Sequence, residues 1–125
     1  MGLDISLMVE RDSFRAGSYS GFGVFREKLA EMGGIILDRM QGYTENGISW
    51  TGDEDFYELL NHSDCDGELY PSECEELIAD FEKYREEWTH KIKIEGLSPY
   101  TQDKYDKWLD FLRRCVEEDG VLHFG

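Results

Sequence analysis

The sequence predicts one α/β (α+β) domain, residues 1–125, in which about four helices pack on a small sheet that includes the N- and C-terminal strands. Apolar and polar residues alternate from Leu3 to Val9, which indicates a strand with one buried face. Two later segments repeat their apolar residues about every 3.6 positions, which is typical of amphipathic helices. A chain of 125 residues, 40% of them hydrophobic, is long enough to bury a core of its own.

The first half of the chain is predicted to contain a strand, a loop and a helix. The strand covers residues 3–9, and the glycine- and serine-containing segment 11–21 is predicted to be a loop. The helix is expected to begin at Ser20 and to end at glycines 33 and 34. Its apolar face consists of Phe22, Phe25, Leu29 and Met32.

The apolar residues of segment 35–52 follow neither a helical nor a strand spacing. Asn46 and Gly47 form a hairpin-turn signal, so residues 48–50 are compatible with a short strand.

The second half is predicted to be mostly helical. A short helix is expected over residues 53–63. A long helix follows Pro71, with an apolar face formed by Cys74, Leu77, Ile78, Phe81, Tyr84 and Trp88. Another begins at Ser98 and stops at Gly120, with an apolar face formed by Tyr105, Trp108, Leu109, Leu112, Cys115 and Val116. Residues 121–124 form a final strand, which we expect to pair with the first strand and protect both.

The net charge of −15 is concentrated in one part of the chain. Residues 51–88 contain 14 acidic and 2 basic residues, so that −12 of the −15 lies there. Charge of this sign argues against direct binding of nucleic acid, which relies on basic side chains. A solvated acidic helix face is the simplest interpretation, and a surface that imitates DNA or attracts cations is the alternative.

Neither a membrane span nor an export signal is expected from the sequence. No apolar run is long enough to span a bilayer, and the first ten residues lack the basic start and the cleavage site of a signal peptide. Gly2 and Ser6 fit a myristoylation pattern, but no basic cluster supports anchoring. Three cysteines without a paired framework fit a reducing compartment. We therefore expect a cytoplasmic protein with no membrane partner.

Residues 62–73, HSDCDGELYPSE, resemble a degenerate EF-hand loop. The ligand positions of such a loop are occupied here by Asp64, Asp66, Glu68 and Glu73. The first position, however, is His62, and imidazole is a poor ligand for calcium. A zinc site that combines His62 with the cysteines has no matching ligand spacing. We expect a rigid turn that binds calcium no tighter than roughly 10⁻⁴ M, if at all, and no other cofactor.

The stretch FRAGSYSGFGVFR, residues 14–26, also carries chemical information. Glycines and hydroxyls surround the expected start of a helix, where free backbone N–H groups favour an anion. Arg15 and Arg26 add guanidinium groups, which pair well with phosphate. The alternative is an ordinary helix cap at Ser20, with the phenylalanines in the core.

The segments MGLDIS, GSYSGFGVFREKLA and LLNHSDCDGEL together resemble a group of short uncharacterised proteins encoded by phages and prophages. In that group a SYSGF…FR segment precedes an NHSDCDGEL segment. The resemblance implies a phage origin and the cytoplasm of a host cell, and it implies no established activity. It also suggests that the two segments form one site and that His62 is a regular feature of the loop.

These observations favour a non-enzymatic binding protein, because the chain has no recognisable nucleophile motif and only three histidines. We expect it to sequester a small phosphorylated ligand, a nucleotide signal of host defence. The expected ligand-binding residues are Arg15, Ser18, Tyr19, Ser20, Phe22, Arg26, Asn61 and His62.

Two alternatives stay open. One is an acidic DNA mimic that inhibits a host protein through the carboxylates of residues 53–87, and the other is an EF-hand-like cation-binding protein. A homo-oligomer is compatible with each of these functions.

Overall fold

The computed structural model describes residues 2–96, the backbone of residues 99–100 and residues 101–125. The helices and strands, in chain order, are β1 Gly2–Leu7, β2 Asp12–Ser18, α1 Tyr19–Met32, a 3₁₀ turn Leu37–Arg39, α2 Tyr57–Leu60, β3 Glu68–Leu69, α3 Pro71–Glu95, α4 Pro99–Glu117 and β4 Leu122–Phe124. Over these residues, four helices and a four-stranded sheet confirm the predicted α+β class.

The sheet is antiparallel, with the strand order β2-β1-β4-β3. The predicted pairing of the first and last strands is confirmed, because β4 pairs with β1 on one side and with β3 on the other. Leu3, Ile5 and Leu7 are fully buried on the helix-covered face. The polar side chains of alternate residues, such as Asp4 and Ser6, therefore lie on the open face.

Helices α3 and α4 pack against each other in antiparallel directions. Cys74 near the start of α3 lies next to Cys115 near the end of α4, with 3.1 Å between the two Sγ atoms. Both are free thiols in a buried environment. The core between the helices and the sheet is largely aromatic, and its largest fully buried side chains include Trp88, Trp108, Tyr105, Phe22, Phe56 and Phe81. Rings of this size contribute much of the buried apolar area of a small domain.

The prediction of a loop over residues 11–21 was wrong, because residues 12–18 form β2. Phe14 and Ala16 are buried at alternate positions and pack on the core, while pairing with β1 satisfies the backbone of this glycine-containing segment. The first strand ends at Leu7 rather than Val9, because residues 8–11 turn away from the sheet and leave Val9 61% exposed.

Two further expectations differ in detail. Residues 48–50 do not form a strand, and the pairing there is a single bridge between Met40 and Ile48. The expected helix start at Ser98 lies outside the described residues, and α4 begins at Pro99. None of the helices in the described residues is long and apolar enough to cross a lipid bilayer.

Candidate functional site

Arg26 lies in the middle of α1. Among the described residues it is the one charged residue that is buried, with 6% of its surface exposed. Its Cζ atom lies 4.6 Å from the ring centroid of Phe22 and 5.4 Å from that of Tyr43. Nη1 donates hydrogen bonds to the carbonyl oxygens of His62 at 2.7 Å and of Leu59 at 3.4 Å. Within the described residues, no carboxylate oxygen lies within 4.0 Å of this guanidinium.

The electrostatic environment of Arg26 is unfavourable for its charge. Burial lowers the pKa of Arg26, and the nearby Tyr43 and Asp64 side chains oppose that effect only in part. The Nε atom is buried and has no hydrogen-bond partner among the described residues. A buried cation without an ion-pair partner in the protein keeps part of its desolvation cost. The side chain is therefore suited to receive an anionic ligand.

The local sequence explains why Arg26 is held in this place. Helix α2 has only four residues, and its C-terminal carbonyl groups need donors from elsewhere. Arg26 supplies donors to Leu59 and His62, and the Tyr43 hydroxyl donates to the carbonyl of Leu60 at 2.6 Å. The segments SYSGF…FR and NHSDCDGEL therefore meet at this helix end.

A cavity of about 510 Å³ opens beside this arrangement. It is lined by Arg26, Gln41, Gly42, Tyr43, Leu60, Asn61, His62, Ser63 and Asp64. We call it the Arg26 cavity. Its walls combine one guanidinium, two amides, an imidazole and a carboxylate, which together can hold an anion and donate or accept neutral hydrogen bonds.

His62 fixes the loop that forms one wall of the cavity. Its ring stacks on Phe124 of β4 with 4.0 Å between ring centroids. Nδ1 lies 2.8 Å from the carbonyl oxygen of Ser63, and Nε2 lies 3.1 Å from that of Glu68. Carbonyl groups only accept, so a neutral ring can donate to one of them and a protonated ring to both. Gly67, at φ +100°, lies under this ring, where an added Cβ would be 3.1 Å from Cε1.

The expected metal ligands of the EF-hand-like loop either make other contacts or are not brought together around one point. The Glu68 carbonyl, which a calcium loop would turn to the ion, faces the imidazole of His62. The carboxylate of Glu73 accepts the backbone N–H of Tyr70 at 3.0 Å, at the start of α3. Asp64 lines the Arg26 cavity, whereas Asp66 is exposed. In the described part of the chain, no three His, Cys, Asp or Glu side chains are arranged to hold a metal ion.

The structure places Arg26, Asn61 and His62 around one cavity but separates the other expected ligand residues from it. Arg15 lies on the open face of β2, where Nε donates to Oδ1 of Asp4 at 2.7 Å. Phe22, also expected among the ligand-binding residues, is fully buried and does not line the cavity.

The serines at the start of α1 serve the helix itself. Ser18, rather than the expected Ser20, is the N-cap residue, and its hydroxyl accepts the N–H of Gly21 at 3.0 Å. The Ser20 hydroxyl lies 3.2 Å from that of Ser18. Tyr19 begins the helix and is 38% exposed. The helix start is thus capped by its own chain.

Sequence reasoning did not identify Gln41, Gly42 or Tyr43 as site residues, and it assigned Asp64 to a metal. Residues 41–43 belong to a segment without a regular period, and Tyr43 reaches the site by bonding to Leu60, 17 positions away. A tyrosine in a polar, glycine-containing segment was the available signal, because its ring needs a partner surface.

A second cavity, of about 290 Å³, lies among carboxylates between α2 and α3. It is lined by Gly52, Asp53, Glu54, Asp55, Glu58, Glu76, Ala79 and Asp80. Burial, followed by hydrogen bonding to Glu76, raises the pKa of Glu58 to about 8. Burial also raises the pKa of Asp80, although its carboxylate accepts the N–H of Phe56.

Comparison with known proteins adds no relative, because no protein-family model, curated protein or solved structure matches the chain.

Proposed function

We propose that the protein is a non-enzymatic binding protein that sequesters a small phosphorylated ligand of the nucleotide class in the Arg26 cavity. If the chain has the phage origin that its segments suggest, such a ligand would be a signal of host defence in the cytoplasm. The observation that carries the proposal is Arg26, a buried guanidinium that lines an open cavity and has no ion-pair partner among the described residues.

The chemistry of the cavity supports an anionic ligand in spite of the net charge of −15. Long-range repulsion is screened within about 10 Å at 0.1 M salt, whereas a direct contact in a desolvated site is screened much less. A guanidinium N–H forms a short, charge-assisted hydrogen bond to phosphate, and Nη2 of Arg26 forms no hydrogen bond with the described residues. Affinity from such a contact should survive moderate salt.

The size and the neutral groups of the cavity support a nucleotide. Its volume of about 510 Å³ lies within the usual range of small-ligand pockets, roughly 300–1,000 Å³. The side-chain amide of Gln41 forms no hydrogen bond within the described residues, and Oδ1 of Asn61 is also without one. These groups are available to a ribose or a base.

The acidic mimic is the second proposed function. Among the 14 acids of residues 51–88, only Asp55, Glu68 and Glu82 lie within 4.0 Å of a basic side chain in the described part. Glu75, Glu86 and Glu87 are exposed along α3. A mimic would bind a basic host protein with a steep salt dependence and would lose affinity when these glutamates are reversed to lysine.

The test of the first proposal is a thermal-shift and calorimetric screen of mono-, di- and cyclic nucleotides and ADP-ribose derivatives. A ligand present at 100 times its dissociation constant should stabilise the wild type by about 2.7 kcal/mol. Removal of a charge-assisted phosphate contact costs about 1.5–3 kcal/mol, so Arg26→Lys, whose ammonium group would not reach the position of Nη2, should weaken binding roughly 10-fold or more.

Two further variants separate binding from folding. Gln41→Glu places a negative charge at an exposed cavity residue whose amide makes no hydrogen bond with the described residues, so it should weaken binding and leave the unliganded melting temperature nearly unchanged. Arg15→Ala is the matched arginine control on the open sheet face, and it should leave affinity unchanged. The site assignment is wrong if Arg15→Ala abolishes binding, or if Arg26→Lys and Gln41→Glu do not weaken it. If no nucleotide binds the wild type, the proposed function itself is wrong.

A further inference from the structure

Two oppositely charged side chains line the Arg26 cavity. Arg26 supplies a cation, and Asp64 supplies a carboxylate that is half-buried and forms no hydrogen bond or ion pair with the described residues. The two groups influence each other electrostatically but are not in contact, since no oxygen of Asp64 lies within 4.0 Å of the guanidinium. A ligand that carries only negative charge would satisfy the first group and be repelled by the second.

A complementary ligand therefore needs an anion at one end and hydrogen-bond donors at the other. An ionised carboxylate only accepts, and it accepts best from two parallel N–H groups. Among the nucleobases, guanine has two such donors side by side, N1–H and the 2-amino group. Adenine instead presents its amino group next to N1, whose lone pair would face the carboxylate oxygens.

Resting on the proposed function, we infer that the ligand is a guanine nucleotide, with its phosphate at Arg26 and the donor edge of its base at Asp64. Asp64 is then the residue that determines base specificity, and Arg26 determines affinity for every nucleotide. The base replaces the neutralising contact that Asp64 does not have within the described protein. The loop that carries Asp64 is held in place by the stacking of His62 on Phe124.

The experiment compares three mononucleotides, GMP, IMP and AMP, by calorimetric titration. They share the same phosphate and ribose, and IMP keeps N1–H but lacks the 2-amino group. The wild type should bind GMP at least about 10-fold more tightly than AMP, with IMP between the two, because a good bidentate contact discriminates bases to that degree.

Asp64→Asn is the decisive variant. Removal of the carboxylate should lower the affinity for GMP by about 10-fold. The affinity for AMP should stay unchanged or rise slightly, so that the preference for GMP disappears. Arg26→Lys should lower the affinity for all three nucleotides by a similar factor and keep the order of the three affinities. Arg15→Ala should change neither the affinities nor the preference.

The outcomes distinguish this inference from the function on which it rests. Equal binding of GMP and AMP by the wild type, or an unchanged preference in Asp64→Asn, would overturn guanine selection by Asp64 while nucleotide binding stands. Absence of binding by all three mononucleotides and by the wider screen would overturn both.

Discussion

Glu58 and Glu76 both line the cavity between α2 and α3, and burial beside a second carboxylate favours the protonated form of Glu58. The pKa of Glu58 is raised from its ordinary value of 4.5 to about 8, by burial first and by hydrogen bonding to Glu76 second. Between these two pH values the folded protein holds a proton that the unfolded chain has released. Stability should therefore fall as pH rises from about 4.5 to about 8.

Replacement Glu58→Gln removes this titration and keeps a donor for Glu76. Because the side chain is partly exposed, solvent reduces the effect, and we expect a gain of about 1 kcal/mol over the wild type at pH 8 and little gain at pH 5. Urea unfolding at both pH values measures it. Glu75→Gln, which removes one exposed carboxylate from α3, the helix that carries Glu76, is the matched control and should show no such pH dependence. A gain of equal size at both pH values would contradict the raised pKa of Glu58.

Among single residues, the sequence singled out Arg26 as a candidate site residue but did not predict its surroundings. A guanidinium in an acidic chain indicated an anion site, and Arg26, Asn61 and His62 do line one cavity. The partner carbonyls of Arg26 lie 33 and 36 positions away, so no local pattern in the chain could show that the guanidinium is buried against them. Arg15 looked equivalent in the sequence, because its pairing with Asp4 depends on the register of β1 and β2.

Two serines lie at the start of helix α1, and only Ser18 caps it. Ser18 accepts the N–H of Gly21, whereas the hydroxyl of Ser20 contacts only that of Ser18 among the described groups. Ser18→Ala should cost about 1 kcal/mol of stability, the usual value for loss of an N-cap, and Ser20→Ala should cost less than half of that. Chemical denaturation of the two variants makes the comparison. Equal losses, or a larger loss in Ser20→Ala, would show that Ser18 is not the cap.

Long helices were predictable from the sequence, and short strands were not. Each of α3 and α4 buries one face, so its apolar residues recur about every 3.6 positions. This pattern can be recognised from the local sequence alone. Strand β3 has two residues and exists because β4 pairs with it, so its signal is too short to recognise. In β2 the apolar residues Phe14 and Ala16 alternate with more exposed residues, but the neighbouring glycine and serines made the segment look like a loop.

The molecule as a whole carries a charge of −15, and repulsion among its carboxylates destabilises the compact state. An increase in NaCl from about 10 to about 100 mM shortens the screening length from about 30 to about 10 Å. We expect a stabilisation of about 1 kcal/mol, or roughly 4 °C in the melting temperature.

Calcium chloride at the same ionic strength is the control for this measurement. It should give nearly the same shift as NaCl, because the EF-hand-like loop lacks its first carboxylate and its Glu68 carbonyl faces His62. A larger shift with calcium, lost in Asp64→Asn, would contradict weak binding and indicate a specific site. A lower melting temperature in NaCl would mean that attractive ion pairs outweigh the repulsion.

The position of β4 in the sheet has a consequence for biosynthesis. Of the four strands β1 is made first, yet one of its edges stays unpaired until residues 122–124 have been made, and β3 has no partner strand before then. At about 5–20 residues per second, a nascent chain waits on the order of 10 s with Leu3, Ile5 and Leu7 incompletely covered. We therefore expect the sheet to form only after residues 122–124 have been made. A chain cut short before β4 would expose an apolar strand edge to chaperones and proteases.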